Sequence, residues 1–475
     1  MSYEYLDAQL RKRETYRRGV AAYNNYRTDT PTERRPVLDV FAEILIWPGA
    51  QKLGSFLFLD EGHLNKNTAG SRFQTVLRLA GRMNACVIIM TATPMANHWQ
   101  NMASYLELLR GHPFADFSSF LLTCTNRQND QKDMDIIKLT PEGTAMDRFR
   151  RLLNLMMVAR PESVVLGDIQ VETHSIRIKL TLTESALSAD SYLQWVRANK
   201  QHQKDHSDIP PGESKFIAWN HFLDSQYEGT HPMMKTIMEE MAYAASVDKA
   251  QRMDEDLSVE EAYYIELTAL SHEPVDSPNA AAVRQGYLDE MKANRTSLST
   301  RVDAIVMIVH QIAAATPKDK ILIVNESPTF LEIIRLALEN DDRQPFPDSA
   351  IFVYTGEVDN ETRNTSLKDF AAAPNTAIML ASRATMSIGL NIQFCNHVIR
   401  CQPWWVRAWE KQIDGRCIRP GQKKTVHIYE VCDIDQGADS HRQMTRERKN
   451  DVIEEVLKGV VLVDGHAPSL AQVIA

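Results

Sequence analysis

Short apolar runs that stop abruptly at polar residues recur towards both ends of this 475-residue chain, and they limit the folds open to it. Phe56-Leu57-Phe58-Leu59 and Val87-Ile88-Ile89-Met90 lie in the first part; Ile321-Leu322-Ile323-Val324, Ile351-Phe352-Val353-Tyr354, Ala377-Ile378-Met379-Leu380 and Val426-His427-Ile428-Tyr429 lie in the last. Runs this short, separated by amphipathic stretches, predict buried parallel strands joined by helices. Ser327-Pro328 supplies an N-cap and a first-turn residue, after which Leu331, Ile334 and Leu338 fall on one helical face. The expected class is α/β, with parallel sheets in two lobes.

Between these parts the rhythm is lost. Residues 202–212 are polar and rich in proline and glycine, as a loop is, and Ser258-Val259-Glu260-Glu261 has the spacing of a capping box. That box opens a predicted helix through Tyr263, Tyr264 and Leu267. The division expected is a first lobe over 1–180, a helical insertion or linker over 181–300, a second lobe over 301–460 and a tail over 461–475.

Composition excludes more than it identifies. The chain is 44% hydrophobic and 24% charged with a net charge of −9, so the whole molecule is no polycation built to coat nucleic acid, although a local basic groove stays open. No apolar stretch approaches the roughly 20 residues that cross a bilayer, so no membrane partner is expected. The six cysteines form no C-x-x-C pair, which favours a reduced intracellular protein without a structural zinc.

Chemistry concentrates in three blocks. Asp60-Glu61-Gly62-His63 ends an apolar run, where ligands bind parallel sheets. An aspartate there suits Mg2+ beside nucleotide phosphates, and its glutamate neighbour suits the orientation of a water; an acid pair that merely ends a strand is the alternative. Thr91-Ala92-Thr93-Pro94 ends the next run, with hydroxyls placed to bond to the acidic block. Gln412 to Gln422 carries Arg416 and Arg419, which on a helical turn project from one side and suit a γ-phosphate; a solvated basic turn is the alternative. Trp404, Trp405 and Trp409 read as packing residues ahead of base-stacking platforms.

In this order the blocks resemble the Swi/Snf-type branch of the superfamily-two helicase-like ATPases. Asp60 to Asn67 is similar to that branch's D-E-A-H-x-x-K-N, with Gly62 for alanine, and Thr91 to Asn97 to its T-G-T-P-x-x-N, with Ala92 for glycine. Ser2-Tyr3-Glu4-Tyr5-Leu6 resembles an S-Y-E-x-L strand end. Tyr354-Thr355-Gly356 with Arg363 and Phe370, then Ser382 to Asn391, Pro403-Trp404-Trp405 and Gln412 to Gln422 resemble the motifs of the second lobe.

The resemblance implies two RecA-like lobes, ATP and Mg2+ as cofactors, and double-stranded or nucleosomal DNA held by its backbone. It implies Glu61, Arg416 and Arg419 as catalytic; Asp60 (the Mg2+ ligand), His63, Gly389 and Gln412 as nucleotide-binding; and Thr91, Thr93, Ser382 and Asn391 as coupling or DNA-track residues. It also implies a nucleus, which no strong Lys/Arg run confirms.

The chain departs from the family in one large respect: it contains no G-x-x-x-x-G-K-[ST] phosphate loop. The first lobe is therefore expected to be N-terminally incomplete, with exposed sheet edge, its loop supplied by a missing N-terminal segment or a protein partner. The segment Ala159-Arg160-Pro161-Glu162 is likewise reduced from the family's basic motif. Two readings follow. One is the C-terminal portion of an ATP-driven DNA translocase of chromatin-remodelling or repair type; the other is an inactive remnant that binds DNA or protein.

Overall fold

A computed structural model describes residues 56–68, 70–83, 86–95, 98–109, 112, 114, 116–125, 140–159, 169–204, 213–252, 277–386, 390–435, 437–458 and 460, and Ala8. At 71, 82–83, 201–204, 213–218 and 249–252 this covers the backbone alone. Two compact units emerge, residues 1–160 with 449–475 and residues 161–448.

In the first unit, β1 (Phe56–Leu59) and β2 (Cys86–Ile89) pair in parallel, Leu59 opposite Ile89. The helix Ser71–Met83 makes the crossover that parallel pairing requires, and packs Phe73 and Val76 against Leu59 and Leu108. A second cluster gathers around Trp99, whose ring lies 5.7 Å from Phe120 and 5.4 Å from Phe149, with Leu121, Leu153 and Val456. Four apolar residues in a row predict burial on both faces of β1, but the burial found is one-sided. Leu59 is buried, whereas Phe56 and Phe58 on the opposite face are 57% and 60% exposed. The crossover helix covers one face of a strand only.

The second unit is built on six parallel strands in the order β3-β8-β7-β4-β6-β5. They are β3 (Val171–Ile178), β4 (Lys320–Asn325), β5 (Ile351–Tyr354), β6 (Ala377–Ser382), β7 (His397–Arg400) and β8 (Val426–Asp433). Central β4, β6 and β7 are buried along their whole length because helices cover both faces. Alternate residues serve the two layers. Ile321, Ile323, Ile378, Leu380 and Ile399 join the core of the helices Thr300–Ala315 and Pro328–Glu339. Leu322, Val324, Met379, Ala381 and Val398 join Phe370, Ile413 and Cys417 on the other side. The Ser327 hydroxyl accepts the Phe330 N–H and Pro328 opens the helix, as the sequence predicts, with Leu331, Ile334 and Leu338 buried.

Two regions sit differently from their sequence reading. Strand β3, placed by sequence within 1–180, pairs residue for residue with β8 as the edge of the second sheet. The helical stretch assigned to an insertion shares that sheet's core: Leu223, Met234, Ile237 and Met238 pack with Val302 and Phe330. Apolar side chains there need a partner layer, and the face of β4 supplies it. Arg301, fully buried, ties this layer together by donating to the carbonyls of Gly229, Cys401 and Val431 and pairing with Asp439 at 2.8 Å. The segments around Ser2–Leu6, 205–212 and Ser258–Leu267 lie outside the described residues. No described helix is long and apolar enough to cross a membrane.

Candidate functional site

In the first unit the site is built by the ends of β1 and β2. Asp60 follows the last residue of β1, is exposed, and accepts the Glu61 N–H through Oδ1 at 2.9 Å. Glu61 takes a left-handed backbone (φ 48°, ψ 45°), unusual for a residue with a side chain, and turns the chain into a short 3-10 helix, Gly62–Asn65. Backbone bonds lock the turn to the next strand: Met90 N–H donates to Leu59 O at 2.8 Å and Gly62 N–H to Met90 O at 2.9 Å. The buried His63 then meets the second block. Its Nδ1 lies 3.1 Å from Thr91 Oγ1 and 3.3 Å from Glu61 Oε2, while Thr91 Oγ1 accepts the Thr93 N–H at 3.1 Å. Glu61, His63, Thr91 and Thr93 thus form one polar cluster at parallel strand ends. His63 lends its imidazole to a neighbouring strand of its own sheet.

In the second unit Ser382 ends β6, buried, with Oγ 3.0 Å from Thr385 Oγ1; that threonine in turn donates to the Tyr354 carbonyl at the end of β5. Asn391 is exposed, and Gly389 lies outside the described residues. Gln412 is half-buried on the helix Arg407–Cys417. Arg416, on the same helix, is buried and donates from Nε to the Met386 carbonyl at 3.1 Å, so it links the helix to the turn after β6. Arg419 does not share that helical face. The helix ends at Cys417, and Arg419 lies beyond it, half-exposed, with Nε donating back to the Gly415 carbonyl at 3.0 Å. Pro420 disfavours a helical backbone at the residue before it, a signal already present in the sequence. Beyond it Gly421 adopts φ 102°, and Gln422 donates to the Cys395 carbonyl at 3.0 Å.

The sequence reading missed what holds this helix. Buried Arg400 on β7 pairs with Asp414, with Glu410 at 3.3 Å and with Glu430 at 3.4 Å. Arg446 pairs with Glu410 and, at 2.6 Å, with Glu430; Arg407 reaches Glu410 at 2.6 Å. Three guanidinium groups thus face three carboxylates. Burial pushes the Asp414 carboxyl up to about 6 against the pull of Arg400. Glu430, also pushed up by burial, is nonetheless held below its usual range by Arg446 and Arg400. Asp414 falls inside the Gln412–Gln422 block, but its partner Arg400 lies on β7, and the groups that complete the cluster, Glu430 and Arg446, come from β8 and the last helix, where no motif spacing points. The tryptophans pack: Trp404 is fully buried, the Trp405 ring lies 5.0 Å from that of Phe222 and tilted 45° to it, and Trp409 carries the Arg383 guanidinium 4.0 Å from its ring centre.

Two family models match this chain. The SNF2-related domain matches residues 49–223 and the helicase conserved C-terminal domain matches residues 303–421. An ATP-dependent helicase of Schizosaccharomyces pombe is 31% identical over 162 residues, 34% of this chain and 15% of the relative. The DNA repair protein RAD5 of Kluyveromyces lactis is 27% identical over 33% of this chain and 14% of its own length. The ATP-dependent helicase fft1 of S. pombe is 21% identical over 87% of this chain and 42% of its own length. The match therefore spans less than half the length of each of these relatives. Among solved structures, the C-terminal part of the Fun30 ATPase domain aligns with 61% of this chain and 97% of its own at 16% identity, with a TM-score of 0.39.

Proposed function

Since the chain belongs to the Swi/Snf-type branch of the superfamily-two helicase-like ATPases, we propose that it acts in ATP-dependent translocation on double-stranded DNA, of chromatin-remodelling or DNA-repair type. The observation that carries this reading is the contact between His63 and Thr91, residues 28 positions apart. A strand-ending acid pair and a threonine turn mean little separately; joined through an imidazole at adjacent strand ends, they can pass the state of one ligand to the other.

An exposed single carboxylate at a strand end fits Mg2+, which keeps several waters and completes its shell with phosphate oxygens. Asp60 is the residue that would hold it, and with ATP the ion would neutralise charge on those oxygens. Glu61 would orient the attacking water, and Arg419, half-exposed on a turn, is the better placed of the two arginines to reach a γ-phosphate. Arg416, buried against the Met386 carbonyl, would position the turn after β6. His63, Gln412 and Gly389 are assigned to the nucleotide, and Thr91, Thr93, Ser382 and Asn391 to coupling with the DNA backbone, where no base reading is needed. The nucleus is the compartment assigned to this reading, by resemblance to the family.

These 475 residues contain no phosphate-binding loop sequence, which favours a second reading for the chain by itself: a module that binds DNA or protein without turnover. Phosphate release with and without double-stranded DNA tests the two. No appreciable release is expected from the 475 residues; release abolished by Arg419→Ala would show the first reading holds without any added loop. In a longer in-frame product bearing the loop, Glu61→Gln should stop hydrolysis and spare ATP binding, and retained turnover would remove Glu61 from the water-orienting role.

A further inference from the structure

Two imidazoles and a carboxylate converge on the second sheet, away from every residue assigned above. Glu172 and His174 alternate along β3 and so share a face, and parallel pairing sets Glu172 opposite His427 of β8. His174 Nε2 lies 3.2 Å from His427 Nδ1, Glu172 Oε2 lies 3.3 Å from His427 Nδ1, and Glu172 Oε2 lies 3.9 Å from His174 Nε2. All three ligand atoms fall within 4.8 Å of one another. A tetrahedral ion with bonds of about 2.0–2.2 Å separates its ligand atoms by roughly 3.3–3.6 Å, close to these spacings.

The geometry points to a site for a divalent transition ion of the Zn2+ class, held by Glu172, His174 and His427. Two nitrogen donors select against Mg2+ and Ca2+, which prefer oxygen. The rings are held in place before any ion arrives. Tyr429 stacks on His174 at 4.8 Å, and His397 stacks on His427 at 5.1 Å. His397 is itself fixed by Asp319 at 3.1 Å. Glu172 is exposed and both ligand histidines are half-buried, so the remaining coordination position faces solvent. Among the described residues β3 pairs with β8 alone, so the ion clamps an edge strand to its neighbour. Sequence spacing could not show it, because His174 and His427 are 253 positions apart.

Zn2+ titration of the purified chain against a chromophoric chelator, with Co2+ as the spectroscopic probe, tests the site. One strongly bound ion per chain is expected, with intense visible Co2+ bands of four- or five-coordinate nitrogen ligation, undiminished by millimolar Mg2+. His174→Ala and His427→Ala should each weaken binding by about tenfold or more. Glu172→Gln changes an exposed side chain, leaves packing untouched, and should weaken binding measurably. Absence of stoichiometric binding to the folded chain, or binding that survives all three substitutions unchanged, would overturn the site.

Discussion

The Cγ2 of Ile89 occupies the space beside Gly62: a Cβ built on residue 62 would stand 2.2 Å from it. The backbone of Gly62 cannot retreat, because its N–H is bonded to the Met90 carbonyl. Glycine therefore stands at position 62 for a local steric reason, set by the isoleucine that ends β2. Gly62→Ala should destabilise the first unit by about 1–3 kcal/mol, the usual range for overpacking. Removing Cγ2 by Ile89→Ala should relieve the clash, so the double variant should lose less than the sum of the single losses. Urea unfolding of the four proteins reads this coupling; strict additivity would show that the two residues do not compete for space.

Glu61 carries its carboxylate on a left-handed backbone, a conformation that costs a residue with a Cβ about 1–2 kcal/mol. Backbone strain at an acidic strand end is a sign of a side chain held for use. Glu61→Gly should be more stable than Glu61→Ala by about 1 kcal/mol, since alanine keeps the strain and glycine releases it. Equal unfolding midpoints for the two would remove strain from the account of this turn.

Much of this was legible in the sequence, and the failures share a cause. Runs such as Ile321–Val324 and Ala377–Leu380 announce themselves because central parallel strands are buried on both faces. Strand β3 does not, since its first half is exposed and only Ile176 and Ile178 reach the core: Glu172, His174 and Arg177 interrupt its apolar residues. Strand β7 hides for another reason, as His397 and Arg400 leave only Val398 and Ile399 as an apolar signal, and their burial depends on partners distant in sequence. The Asp60 block and the Arg416 block were visible as motifs. Their supports were not: Arg400, Glu430 and Arg446 meet only in the fold.

Asp319 gives the second unit an acid limb. Burial would raise its carboxyl, yet Lys424, the Asn396 amide at 2.8 Å and His397 hold it at about 2, below the ordinary 3.8. A carboxyl depressed on folding contributes stability that is fully present above the unfolded value and is lost as pH falls from 3.8 towards 2. Asp319→Asn should therefore lower stability at neutral pH and flatten the profile within that window. Asp414 has the opposite sign. Raised to about 6, it opposes folding at neutral pH, and that opposition fades as pH falls from 6 towards 3.8. Stability profiles of the wild type and Asp319→Asn that run parallel below pH 4 would contradict the assignment to Asp319.

The ion network beneath the Gln412 block sets a sharper test. Arg400 is 1% exposed and Glu410 0%, so their charges are tolerated only because each meets an opposite one. Arg400→Met keeps the bulk of the side chain but leaves Glu410, Asp414 and Glu430 sharing Arg446 and the half-exposed Arg407. Loss of one member of a buried ion cluster costs about 3–5 kcal/mol, far more than a surface pair. Asp414→Asn added to Arg400→Met removes one stranded carboxylate and should recover part of that loss, because an uncharged amide at that position no longer needs the guanidinium. Chemical unfolding of the single and double variants measures the recovery directly. A double variant no more stable than Arg400→Met would mean that Asp414 is not held in its charged form by Arg400. The helix bearing Gln412 and Arg416 would then owe its position to the packing of Ile413 and Cys417 against the sheet.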